Sequence, residues 1–145
     1  MSAPEVRVVA AWHEALNAGD VDRLSDFSHP DVEVGGPHGS GRGAQLLRGW
    51  ALRSGIRLLP TRVFHDEVRV VVEQEAEWNP AEAGEASSRQ TLASVFVVRD
   101  SLVTSVSRHP DLAEALLVAD LGAQHEVTAD HRAGARGSGG EVGSL

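Results

Sequence analysis

Apolar residues recur at helical spacing near the start of the chain. Val9, Trp12 and Leu16, flanked by Val8 and Ala15, form one stripe and predict a helix over residues 3–18. Gly19 supplies a C-terminal stop and Asp20 a cap for a second, short helix over 21–27, with Leu24 and Phe27 inward. His29-Pro30 ends it, because the residue before a proline is pushed out of the helical region. Residues 31–35 read as a strand with Val32 and Val34 on one face. Residues 35–43, Gly-Gly-Pro-His-Gly-Ser-Gly-Arg-Gly, read as a flexible turn. A third helix follows over 44–53, burying Leu46, Leu47 and Trp50.

The second half changes to a period of two. Residues 56–64 predict a strand whose Pro60 calls for an edge position or a bulge. Residues 67–78 set Val68, Val70, Val72, Gln74, Ala76 and Trp78 against Arg69, Val71, Glu73, Glu75 and Glu77, which predicts the longest strand. A polar loop over 79–87 leads to a strand over 89–98. Arg99-Asp100-Ser101 turns the chain into the last strand, 102–109. Pro110-Asp111 opens a final helix over 112–121, with Leu116, Leu117 and Leu121 apolar. From 123 onward the small, polar, glycine-rich composition predicts a disordered tail behind a domain spanning 1–122. Helices first, then an antiparallel meander, then a helix gives an α+β class. The meander is apolar on both faces at 70–72 and 92–98, while the helices serve one side. A second copy of the chain is the simplest cover for the other, so a homodimer is expected.

Composition narrows the chemistry. The 145 residues suit one domain and contain no cysteine, lysine or tyrosine. Disulfides, thiolates, Schiff-base chemistry and a phenolic acid are thereby removed, and no cofactor is called for. Neither paired histidines at i,i+4 nor a carboxylate–histidine cluster offers metal-ligand spacing. A net charge of −8 disfavours nucleic acid as a partner. No apolar run is long enough for a membrane span. The N-terminus lacks a secretory h-region, so a cytoplasmic protein is expected. The charge is uneven. Between Glu33 and Asp66 there is no acid, but there are Arg42, Arg48, Arg53, Arg57 and Arg62. They form either a solvated basic face or a patch that attracts an anionic ligand.

A helix ending LNAGD, then HPDVEV, a glycine-rich turn into a helix, and a meander ending SVSRHPD and EALLVADL resembles the SnoaL-like branch of the nuclear-transport-factor-2-like superfamily, across residues 6–121. The resemblance implies a curved antiparallel sheet around a cone-shaped pocket closed by the N-terminal helices, and frequent dimers. It does not imply one reaction, since the superfamily holds isomerases, cyclases, dehydratases, hydrolases and non-enzymes. The machinery of ketosteroid isomerase, a worked case of carboxyl tuning, does not carry over. Its tyrosine, base aspartate and protonated aspartate fall on Trp12, Gly36 and about Ser94.

Candidate residues follow from both lines. His109, at the end of the last strand, and His38, in the glycine-rich turn, are candidates for proton transfer near neutral pH. Arg108 is a candidate carboxylate or phosphate contact and points to the opposite face from His109 on a regular strand. Asp111 reads as a helix cap. Trp12, Phe27, Trp50 and Trp78 either wall a cavity or fill the core. Gln74 interrupts an apolar face and needs the backbone, Ser94 or a ligand as partner. His13 reads as exposed or at the pocket rim. Gly39-Ser40-Gly41-Arg42-Gly43-Ala44 mimics a dinucleotide fingerprint but lacks the following acid and the parallel βαβ context. The expectation is a pocket for a small apolar organic ligand, serving a cofactor-free lyase, isomerase or hydrolase. The alternative is a non-catalytic module that binds a ligand or another protein.

Overall fold

The computed structural model describes residues 3–36, 39–77 and 89–127. The first helix, α1 (Pro4–Ala18), stops at Gly19, whose φ of 73° is a left-handed conformation that favours glycine. Asp20 then accepts a hydrogen bond from the Arg23 amide and caps α2 (Val21–Asp26). The chain continues as β1 (Ser28–Gly36), β2 (Gly39–Arg42), α3 (Ala44–Ser54), β3 (Arg57–Asp66), β4 (Arg69–Glu77), β5 (Arg89–Arg99), β6 (Leu102–His109) and α4 (Leu112–Ala119), with a 3-10 turn at Ala123–His125.

The strands form one curved, unclosed sheet in the order β2-β1-β6-β5-β4-β3. The α+β class is as expected, and β3 to β6 make the expected antiparallel meander. The sheet as a whole is mixed, because β1 runs parallel to β6. Pro60 sits on the edge strand at a register shift between Pro60 and Arg62, so it is both at an edge and at a bulge. The segment over 35–43 is not simply a turn. Gly36 faces Gly39 and Glu33 faces Arg42, so β1 and β2 form a hairpin.

Alternation sorts the meander into two cores. Val70, Val72, Ala76, Leu92, Phe96 and Val98 face α1 and α3, with Trp12 edge-to-face on Phe96 at 5.1 Å. Val71, Ala93, Val95 and Phe64 face the other way, under Ala115, Ala119 and Leu121. The premise that helices cover one side therefore fails. Ala115 and Ala119, four residues apart and small, let α4 lie close on the outer face, while Leu117 points to solvent. Asp111 caps α4 through the Glu114 amide. The folded chain also runs past the expected boundary at 122. Glu126 pairs twice with the Arg62 guanidinium, and the Val127 amide donates to the Val63 carbonyl, so this segment lies along the outer edge of β3. The remainder of the expected tail, 128–145, lies outside the described residues.

Candidate functional site

On the inner face, the sheet curves away from α1 and α3 and leaves a cavity of about 400 Å³. Trp12 of α1 and Leu58 of β3 form its inner wall. Leu46, Leu47 and Trp50 of α3 form one side, and the hairpin forms the other through Val34, Gly35, Gly36, Gly39, Ser40 and Gly41. Ser94, Val106 and Arg108 reach it from β5 and β6. The hairpin wall is mostly backbone, which is why it reads as a turn: glycine has little strand propensity. A Cβ at Gly41 would run into the Leu46 side chain, whereas one at Gly36 would meet only Arg108 Nη2, at 3.8 Å.

The polar groups near the cavity are mostly committed to one another. The Trp12 indole N–H donates to Ser28 Oγ at 3.2 Å, and Ser28 Oγ donates to the Leu24 carbonyl. Ser94 Oγ donates to Gln74 Oε1 at 2.9 Å. The Gln74 amide donates to His13 Nε2 at 2.8 Å, and His13 Nδ1 donates to the Val9 carbonyl at 2.8 Å. This chain of partners fixes one histidine tautomer, with the proton on Nδ1. Burial pushes the His13 pKa down to about 4, against a smaller upward effect of the Val9 carbonyl. Gln74 is thus held by Ser94, one of its three expected partners, and also by His13, which is buried rather than exposed or at the rim. The signal for His13 was present in the sequence. It lies four residues after Val9 and three before Leu16, within the apolar stripe of α1.

Arg108 differs from these groups. It is the only charged residue lining the cavity among the described residues, it is half-buried, and no carboxylate there pairs with it. Burial lowers its pKa, and the guanidinium stays charged.

His109 is placed elsewhere. As the neighbour of Arg108 on a regular strand it faces the outer side, with Nδ1 2.9 Å from Glu114 of α4 and Nε2 3.0 Å from Ser107 Oγ. The expectation that it reaches the pocket is corrected by the strand's two-residue period. Phe27 packs against the inner core and does not line the cavity. Gln74 lies behind Ser94. His38 and Trp78 fall outside the described residues. The structure therefore brings Trp12, Trp50, Ser94 and Arg108 to one cavity and takes His109 away from it.

Among proteins of curated function, none matches this sequence. Solved structures do. The fold is similar to that of an NTF2-like protein of unknown function from Cytophaga hutchinsonii, at 13% identity over 77% of this chain and 93% of that one, with a TM-score of 0.67. It is similar to a protein described as a candidate polyketide cyclase from Xanthomonas campestris pv. campestris, at 23% identity over 77% and 93%, with a TM-score of 0.64. Another candidate polyketide cyclase, from Sinorhizobium meliloti, matches at 18% identity over 71% and 94%, with a TM-score of 0.62. The sequence model of the SnoaL-like domain matches residues 9–106, the span from the α1 stripe to the cavity-lining Val106. That is more than half of the chain, and it establishes that the protein belongs to the SnoaL-like domain family, with a fold similar to that of NTF2-like proteins.

Proposed function

We propose that this SnoaL-like protein binds a small, mostly apolar organic molecule in the cavity between α1, α3 and the β1–β2 hairpin. One observation carries the reading. The cavity is lined by Trp12, Trp50 and aliphatic side chains with a few polar groups, and among the described residues no Asp, Glu or His lines it. Such a lining favours binding over acid–base catalysis. A second reading, a cofactor-free lyase, isomerase or hydrolase, rests on a narrower observation: Gly36 and Gly39, on either side of Pro37-His38, both line the cavity. A cytoplasmic homodimer belongs to the first reading, with the exposed Leu117 and Val118 of α4 as its apolar contact.

The test is cavity filling. N-phenyl-1-naphthylamine, a neutral dye that brightens in apolar surroundings, is expected to bind the wild type. Gly36→Phe, which projects a ring into the cavity, is expected to abolish the signal while the thermal unfolding temperature holds. Equal dye binding by the two proteins would sink the cavity reading. Catalysis through His38 predicts that His38→Ala removes any turnover and leaves dye binding unchanged.

A further inference from the structure

The ligand's polar chemistry can be narrowed further, on the premise that the cavity binds a small molecule. Its walls hold few donors that are free. The Trp12 N–H is committed to Ser28 and the Ser94 hydroxyl to Gln74. That leaves Arg108, the Trp50 indole N–H and Ser40 at the exposed hairpin, and of these Arg108 alone carries charge. Arg108 sits directly opposite Ser94 across the β5–β6 ladder, so the guanidinium enters from the sheet floor beside Gly36. A half-buried cation without a carboxylate is unfavourable on its own, and burial acts against it rather than a partner acting for it. A guanidinium presents parallel donors that match a planar, two-oxygen anion.

The surroundings point the same way. Two elements that line the cavity, β2 and α3, contain arginines and no acid, inside a chain whose net charge is −8. Arg48 pairs with Asp22 at 3.0 Å, and the exposed Arg42 pairs with Glu33 at 3.9 Å. With those two paired, Arg108 is the charged lining group left, among the described residues, to meet an anion. We infer that the cavity selects organic anions: a compact apolar body carrying a carboxylate, sulfonate or enolate head that Arg108 holds at the sheet floor.

A matched pair of dyes tests this. 8-Anilinonaphthalene-1-sulfonate is N-phenyl-1-naphthylamine with a sulfonate added, and both report binding by fluorescence. The wild type is expected to bind the sulfonate roughly tenfold or more tighter than the neutral dye, as charged hydrogen bonds allow. Arg108→Met, similar in length and apolar, should remove that preference, keep the neutral dye and unfold at a temperature no lower than the wild type. Arg108→Lys should retain part of the preference. Gly36→Phe should lose both dyes. The inference is overturned if the wild type binds both dyes equally, if Arg108→Met keeps the preference, or if sulfonate binding survives Gly36→Phe. Binding of neither dye by the wild type would overturn the cavity reading itself, and this inference with it.

Discussion

His13 shows how one side chain fixes several others. It is buried on α1, takes a hydrogen bond from Gln74 and gives one to Val9, and through Gln74 it sets the direction of the Ser94 hydroxyl. Its folded pKa of about 4 lies below the ordinary histidine value of 6.5. Above 6.5 neither state protonates it. Between 6.5 and 4 the unfolded chain binds a proton that the folded chain refuses, so stability falls as pH falls through that window. The full loss is about 3 kcal/mol, reached near pH 4. Urea unfolding at pH 7 and pH 5 should show a larger drop for the wild type than for His13→Gln, which cannot titrate. An equal drop in both proteins would remove His13 as the cause. This residue was hidden in the sequence because a histidine beside a tryptophan reads as a surface residue until its place in the Val9–Leu16 stripe is counted.

At the scale of elements, the clasp between α1 and β3 is made by Asn17. Its side-chain amide donates to the Leu58 carbonyl and accepts from the Leu58 amide, both at 2.9 Å, so it acts as one residue of a neighbouring strand. β3 is an edge strand, and this contact seats Leu58 in the cavity wall. Asn17→Ala should cost about 1–3 kcal/mol by leaving two half-buried backbone groups without partners. A chemical-denaturation midpoint unchanged from wild type would contradict that. The long elements were legible because their patterns are strong: a 3.6-residue stripe in α1, a valine run passing into alternation in β4, and a proline marking the β3 bulge. The β1–β2 hairpin was not, since four of its cavity-facing positions are glycine and glycine carries no pattern. The floor residue Arg108 was legible in part. Alternation separated it from His109, but only the sheet's curvature decides which of the two faces is hollow.

For the whole molecule, both faces of the sheet are covered by the chain itself, the inner by α1 and α3 and the outer by α4. The case for a partner therefore no longer rests on a bare sheet. It rests on α4, where Leu117 is 81% exposed and Val118 58%. A homodimer through that helix predicts a solution mass of twice 15.4 kDa by light scattering, falling to 15.4 kDa for Leu117→Glu. A wild-type mass of 15.4 kDa would end the dimer proposal. The parallel pairing of β1 with β6 has a consequence of a different kind. β1 comes early in the chain and meets β6 only after β2, α3, β3, β4 and β5 have been laid down. Closing so long a loop is the slow, non-local part of folding. On a ribosome, the hairpin wall would wait without a floor until Arg108 emerged, so the ligand chamber is a late product of synthesis, and a chain truncated within β6 would lack it.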